Sequence, residues 1–293
     1  MKKFNTLLRI MVRKGLLKWV PDKPYLHILY YAYMGKRLHL TNPVTYNEKL
    51  QWLKLYDRNP IYTKMVDKYE AKLIVAEKIG EEYIIPTLGV WNRPEEIDFD
   101  GLPDKFVLKT THDSGGIIIV DKRQGYDRKR INDFFNKRLS QSTYELQREW
   151  PYKNVPKRII AEQFMEDEKT HELRDYKFFC FDGEVKCMFI ATDRQSEKPT
   201  AFDFFDPGFN WMDIRHGHPN AEVKPEKPIN FELMKQLAAK LSDGLPQVRV
   251  DLYEINGKVY FGELTFFHHG GIVPFDPENW DKVFGEWIQL RKD

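Results

Sequence analysis

Val248-Arg249-Val250-Asp251-Leu252-Tyr253 and Val259-Tyr260-Phe261-Gly262-Glu263-Leu264-Thr265, on either side of Asn256-Gly257, read as the two strands of a β-hairpin. Successive side chains of a strand point to opposite faces, so Val248, Val250 and Leu252 make an oily side and Arg249 and Asp251 a charged one. The side taken by Glu263 depends on the turn, because directly opposed residues share a face and a one-residue slip exchanges the faces. A two-residue Asn256-Gly257 turn pairs Asp251 with Gly262 and sends Glu263 to the oily side. A three-residue Ile255-Asn256-Gly257 loop, with Gly257 left-handed, pairs Asp251 with Phe261 and Glu263 with Arg249, and puts Tyr260, Gly262 and Leu264 among the valines. This second register satisfies burial and charge together and is the one expected. Two carboxylates on stiff strands can then hold one or two magnesium ions, with substrate phosphates and water completing the octahedra. The adjacent guanidinium suits a transferring phosphoryl group. An ion pair on a solvated sheet face is the plain alternative, and residues upstream weigh against it.

Lys109 ends the apolar strand Phe106-Val107-Leu108 and leads into Thr110-Thr111-His112-Asp113-Ser114-Gly115-Gly116. A lysine beside a glycine loop can close over phosphates, the loop giving backbone N–H groups and the lysine a point charge. The order is not that of a P-loop, and a simple Ser-Gly-Gly hairpin turn accounts equally for the glycines. Arg158-Ile159-Ile160-Ala161 reads as a buried strand ending in Glu162-Gln163-Phe164-Met165, whose backbone and apolar wall suit adenine. Asp175 and Lys177 open a further strand, where a carboxylate can take ribose hydroxyls; taken singly, each is ordinary surface charge.

Around these segments the chain reads as α+β and mainly antiparallel. Residues 1 to about 60 have helical spacing, Asp67 to Lys78 forms another helix, and Tyr83-Ile84-Ile85 makes a short strand before Pro86. Hairpins follow at 106–121 and 176–190 with the polar helix Arg128 to Leu139 between them; then come an aromatic loop from about Ala201 to Pro228 and a helix from Phe231 to Leu241. The 42% hydrophobic content can bury a real core, and a net charge of +2 lacks the basic footprint of a nucleic-acid partner. Two cysteines, Cys180 and Cys187, are too few for a disulfide framework, and with no secretory signal a cytoplasmic location is expected. Met1 to Val20 mixes six basic residues with Leu7, Leu8, Leu17, Trp19 and other apolar residues. This basic amphipathic helix is too interrupted to span a bilayer; it either packs on the protein's own core or makes peripheral contact with an anionic membrane surface.

The order Asp67-Lys68, Lys109 with Ser114-Gly115-Gly116, Glu162 to Met165, Asp175, Arg249-x-Asp251 and Glu263-x-Thr265 resembles the ATP-grasp superfamily. Tyr46-Asn47-Glu48-Lys49-Leu50-Gln51-Trp52, His112 to Gly116, Asp175 to Phe181 and Val248 to Tyr253 are similar to the teichuronopeptide-biosynthesis, TupA-like type of bacterial surface-polysaccharide loci, over nearly the whole chain from about residue 20. The resemblance implies antiparallel sheets sandwiching the nucleotide: a helical extension over 1–60, an α/β segment over 61–105, a lid over 106–165 and a metal-bearing part over 166–293. It implies ATP and Mg²⁺ as cofactors. Lys68 and Lys109 would contact phosphates under the Ser114-Gly115-Gly116 loop, Gln163, Phe164 and Met165 would cradle adenine beside Glu162, and Asp175 would take the ribose, with Lys177 as an addition. Asp251 and Glu263 would bind metal, and Arg249 would join Lys109 in catalysis. Distant relatives such as D-alanine:D-alanine ligase have Glu-x-Asn where this chain has Glu263-Leu264-Thr265, making Thr265 a third metal ligand here, and His268-His269-Gly270-Gly271 falls where they carry a substrate loop.

The chemistry implied is ATP-dependent amide formation through an acyl-phosphate, joining an amino acid or other amine to a carboxylate such as that of a hexuronic acid in capsule or O-antigen biosynthesis. A glycosyltransferase is the rival enzyme, on the polysaccharide association and Asp98-Phe99-Asp100; a membrane-associated binding protein using the N-terminal helix is the non-enzymatic alternative.

Overall fold

The computed structural model describes residues 2–168, 173–193 and 199–291. Helices α1 (Lys2–Arg13), α2 (Asp22–Met34), α3 (Tyr46–Tyr56), α4 (Ile61–Val66) and α5 (Glu70–Ile79) come first. Strand β1 (Thr87–Trp91), the hairpin β2 (Lys105–Thr110) and β3 (Ile117–Asp121), helices α6 (Arg128–Leu139) and α7 (Tyr144–Gln147), and strand β4 (Ile159–Gln163) follow. The second half holds β5 (Asp175–Phe181), β6 (Glu184–Thr192), β7 (Ala201–Phe205), β8 (Trp211–Met212), β9 (Arg215–His216), α8 (Phe231–Ser242), β10 (Val248–Ile255), β11 (Lys258–Thr265), β12 (Phe275–Asp276) and α9 (Asn279–Trp287).

Two antiparallel sheets carry the site. The smaller has the order β1-β4-β2-β3 and the larger β11-β10-β5-β6-β7-β8. Alternation sorts the small sheet cleanly: Phe106, Leu108, Ile159 and Ala161 pack against Ile131 and Phe135 of α6, and Val107, Lys109 and Glu162 turn to the other face. In the large sheet, Val250 lies opposite Phe178, whose ring meets Phe231 of α8 at 6.2 Å, so the oily face of the β10–β11 hairpin is covered by a helix. The opposite face bears Asp251 beside Lys177 and Tyr253 beside Asp175.

Helix α3 starts where its sequence provides a capping box: the Thr45 hydroxyl accepts from Glu48 N–H and the Glu48 carboxylate accepts from Thr45 N–H. Buried Asn47 on its next position ties α3 to α9 through Asp281, at 2.9 Å from the backbone and 3.0 Å from the side chain. A separate N-terminal core forms from Val12, Leu17, Tyr25, Leu26, Leu29 and Tyr30. Among the described residues no helix is long and apolar enough to cross a membrane.

Three expectations change. The strand before β2 is not Tyr83-Ile84-Ile85 but Thr87–Trp91, an edge strand of the small sheet placed after Pro86, whose carbonyl accepts from Gln163 N–H at 3.0 Å. The aromatic stretch from Ala201 is not loop at its start: Ala201–Phe205 is a wholly buried strand paired with β6, because Phe202, Phe204 and Phe205 complete the large core. The hairpin turn is the two-residue Asn256-Gly257 form, with φ of 50° and 74° and Ile255 opposite Lys258, rather than the three-residue loop.

Candidate functional site

With that turn, a regular ladder would have put Glu263 on the oily face. It does not, because the register shifts by one residue at Gly262: Leu252 pairs with Phe261, but Asp251 pairs with Glu263 and Arg249 with Thr265. The extra residue is a β-bulge, which returns Glu263 to the charged face and Leu264 to the core. A Cβ at Gly262 would stand 3.0 Å from the Asp251 carbonyl oxygen and 3.1 Å from the Tyr253 ring, so glycine suits the position. Tyr260, expected among the valines, instead lies opposite Tyr253 and is half-buried, while Val259 and Phe261 fill the core.

The bulge assembles a charge network at the centre of the large sheet. Arg249 forks onto both oxygens of fully buried Asp251 at 2.7 Å each, and reaches Glu263 Oε1 at 3.3 Å and Thr265 Oγ1 at 3.0 Å. Lys177 donates to Asp251 Oδ2 and lies 3.3 Å from Asp175. Burial works against the ionised forms, yet Arg249 and Lys177 together hold the Asp251 carboxyl below its ordinary range. Burial likewise pushes the Lys177 ammonium down, with Asp251 opposing.

Above this face lies the small sheet. Glu162 is gripped by Lys109 at 2.5 Å and by Lys72 of α5, and these two cations outweigh burial to hold its pKa down. Lys68, between α4 and α5, donates to the backbone carbonyl of Asp113; burial lowers its pKa, and Glu263 and Asp113 are the charges that oppose the shift most. The turn 111–116 is shaped for this approach: a Cβ at Gly116 would collide with Thr110 Oγ1, and Arg138 holds the Ser114 carbonyl at 2.7 Å.

Two cavities flank the network. One of about 820 Å³ is lined by Lys68, Ser114, Arg249, Glu263, Thr265 and His269 among others. The second, about 330 Å³, lies between the sheets and is walled by Val107, Lys109, Ile117, Ile119, Glu162 to Met165, Ala191 and Tyr253. Lys68 and Ser114 therefore lie in the larger space, and Lys109 and Glu162 to Met165 in the smaller. Asp251, Lys177 and Asp175 are buried beside these spaces rather than among their lining residues; Asp175, read as a ribose contact, lies against Lys177. Gly115 and Gly116 occupy the turn over Lys68, outside both linings. Asp98 only caps its own turn, accepting from Gly101 N–H at 3.2 Å, and Asp98 and Asp100 border neither cavity.

Magnesium requires hard oxygen ligands, and the hairpin offers three residues that have them. Glu263 is the accessible one: its side chain is 42% exposed toward the larger cavity. Both Asp251 oxygens are taken by cationic groups, so an ion would reach this carboxylate by displacing the Lys177 ammonium, which already holds the place of a cation. Thr265 donates to Glu263 Oε1 at 3.4 Å and completes the set. The residues fit the ion.

The loop after β11, expected to face substrate at His268-His269-Gly270-Gly271, forms a second polar centre together with His216, which the chain order did not disclose. His216 Nε2 donates to the Val273 carbonyl at 2.9 Å, leaving Nδ1 as a lone pair. His269 Nε2 has no hydrogen-bond partner among the described residues. His268 Nδ1 accepts from Arg249 Nη1 at 2.5 Å, so its Nε2 carries the hydrogen. These three leftover nitrogens are buried and have no partner among the described residues, and each ring places a nitrogen within 4.8 Å of the others. Burial, with the neighbouring cation and imidazoles, keeps all three neutral, His216 falling to about 3 and His269 to about 4. With Nε2 of His268 carrying the hydrogen, the cluster does not offer the three lone pairs a transition metal needs.

The backbone here is held in the left-handed region at His269, Gly270 and Gly271. Its carbonyls are anchored by α3: Gln51 Nε2 donates to Gly271 O at 2.8 Å, and Lys54 Nζ, 1% exposed, donates to Gly270 O at 2.7 Å. Asn47, Gln51 and Lys54 form a polar stripe at helical spacing. That stripe was the available signal for these supporting residues, which the apolar reading of α3 passed over.

A search of curated protein sequences returns no match. Among solved structures, D-alanine–D-alanine ligase from Bacillus anthracis aligns at 18% identity, covering 69% of this chain and 57% of that one with a TM-score of 0.39. The same enzyme from Helicobacter pylori aligns at 15% identity over 85% and 68%, with a TM-score of 0.46. ATP-grasp ligase PsnB, complexed with its minimal precursor, aligns at 11% identity over 75% and 59%, with a TM-score of 0.43. The chain thus spans less than two thirds of the length of some of these proteins. The family model for TupA-like ATPgrasp matches residues 48–289, which takes in α3, both sheets, the bulged hairpin and the histidine loop, and the chain belongs to that ATP-grasp family.

Proposed function

We propose that this protein is an ATP-dependent carboxylate–amine ligase that forms an amide through an acyl-phosphate. The observation that carries the reading is the bulge at Gly262, which sets Asp251, Glu263, Arg249 and Thr265 on one face, beside a nucleotide-sized slot between two sheets. ATP enters that slot with its base against Phe164, Met165 and Ile119 and its phosphates toward Lys109 and Lys68, beneath the turn at Ser114, Gly115 and Gly116. Magnesium held by Glu263, Asp251 and Thr265 would neutralise phosphate charge and align the oxygens. A substrate carboxylate attacks the γ-phosphorus, ADP leaves, and the amine then displaces phosphate from the acyl-phosphate. Arg249 and Lys109 would spread the charge of the transferring group, with Lys177 buried behind them against Asp251 and Asp175. Residues 106–165 act as the lid and 166–293 as the metal-bearing part, which together exclude water that would hydrolyse the intermediate.

His269 and Gly270 line the larger cavity, and with the family resemblance this supports the His268-His269-Gly270-Gly271 loop as a substrate-side element. The family resemblance supports a hexuronic-acid carboxylate of a capsule or O-antigen polysaccharide and an amino acid or similar amine, with the reaction in the cytoplasm where ATP is supplied. Incubation with ATP, Mg²⁺ and paired uronic acids and amines, read as ADP release and product mass, tests this. Amide product identifies the pair; failure of ATP to bind in a Mg²⁺-dependent way refutes the reading.

A further inference from the structure

Helix α1 is divided between two environments. Val12 and, just beyond the helix, Leu17 are buried against α2, and Arg9 Nε donates to the Ala32 carbonyl at 2.7 Å. Outward stand Phe4, Leu7, Leu16 and Trp19, at 55%, 54%, 55% and 81% exposure, large apolar side chains that the fold leaves uncovered within one short segment. The segment is not loose. Arg148, 3% exposed, donates to the carbonyls of Lys18 and Val20 at 2.8 and 3.1 Å, and the Trp19 indole N–H bonds the Leu16 carbonyl, so the ring presents an apolar surface.

Charge identifies the occupant. Six basic residues and no acidic one precede Asp22, and Arg13 and Lys14 are exposed in the same segment as these apolar side chains. A second copy of the same face would set cation against cation; anionic lipid headgroups complement both the charge and the oil. Arg13, Lys14 and Lys18 also line the cavity that holds Glu263 and Arg249, so the basic residues that alternate with the exposed apolar ones border that cavity. We propose that residues 4–19 dock on an anionic lipid bilayer and set the mouth of the 820 Å³ cavity in the headgroup layer. Calling that cavity catalytic rests on the ligase reading; the docking does not. A carboxylate or amine borne by a membrane lipid would then enter the cavity without leaving the bilayer.

The test uses the full chain and vesicles of phosphatidylcholine, alone or with about one quarter phosphatidylglycerol. Sedimentation should show binding to the anionic vesicles only, weakened by salt. The variant Leu7→Ser/Leu16→Ser/Trp19→Ser changes exposed positions, so its melting temperature and ATP-analogue affinity should match the parent while vesicle partitioning falls by roughly tenfold or more. A fluorophore on Gln141→Cys, at the cavity rim, should be quenched by nitroxide-labelled lipid in the parent background and not in the triple variant; Cys180 and Cys187 are buried and do not compete for label. Failure to bind anionic vesicles, binding unchanged in the triple variant, a bound protein whose rim label stays unquenched, or a dimer dispersed by the triple substitution would each overturn the proposal. Nucleotide affinity is read separately, so a failure of the ligase reading appears there and not in the vesicles.

Discussion

Asp251→Asn and Glu263→Gln remove equivalent charges from the same proposed metal site, yet the structure predicts different effects on stability. Asp251 is fully buried and neutralises two buried cations, Arg249 through two 2.7 Å bonds and Lys177 through a third. Removing one partner of a buried ion pair costs about 3–5 kcal/mol. Part is recovered, because Lys177 keeps Asp175 at 3.3 Å and Arg249 keeps Glu263 at 3.3 Å and Thr265 at 3.0 Å. The lower end, about 3 kcal/mol, is therefore expected. A chain of this size has an unfolding entropy near 0.6 kcal/mol/K, so the melting temperature should fall by about 5 °C. Glu263 is 42% exposed at its side chain and makes a single 3.3 Å ion pair, so Glu263→Gln should shift melting by less than about 2 °C. Melting is followed by circular dichroism without nucleotide, then with a non-hydrolysable ATP analogue and Mg²⁺. Both variants should lose the Mg²⁺-dependent rise that binding gives the parent, about 2.7 kcal/mol at a hundredfold excess over Kd. Equal melting temperatures in the two variants would refute the charge accounting at Asp251, and a retained Mg²⁺-dependent rise in both would refute the metal site.

Two further outcomes follow from neighbouring groups. Lys109→Ala should weaken binding of the ATP analogue by about 10- to 100-fold, the worth of a charge-assisted bond, whereas Lys122→Ala should not, since Lys122 only holds the Leu102 carbonyl at 2.5 Å away from both cavities; equal affinities by calorimetry would count against Lys109. Burial raises the Glu149 carboxyl from 4.5 to about 7, against the pull of Lys54 and Arg249, so the folded state keeps a proton that the unfolded chain releases. That contribution to stability is therefore lost as pH rises from about 4.5 to 7, and Glu149→Gln should flatten the melting temperature across this window by the equivalent of about 1–3 kcal/mol; parallel profiles for parent and variant would show that Glu149 does not titrate there.

The chemistry of this site was legible wherever it depends on neighbours along the chain. Alternation in β10 separates Val248, Val250 and Leu252 from Arg249 and Asp251 whatever the rest of the fold does, and Asn256-Gly257 marks the turn. The helix Arg128–Leu139 and its polar outer face are readable for the same reason. The register was not: one face can be satisfied either by a longer turn or by a bulge farther along, and local pattern weighs both alike. Packing chose the bulge, because Val259, Phe261 and Leu264 are all buried while Glu263 is turned to the cavity.

The amino-acid order therefore set out the residue types, their spacing along each strand and the family they resemble, all properties of local covalent sequence. Tertiary structure decided which distant groups share a space. Lys177 neutralising Asp251, the α3 stripe of Gln51 and Lys54 holding the histidine loop, and the N-terminal basic residues on the rim of the Glu263 cavity each join segments far apart in the chain. Such contacts depend on how whole sheets and helices bury their apolar faces, and no periodicity within a single segment encodes that.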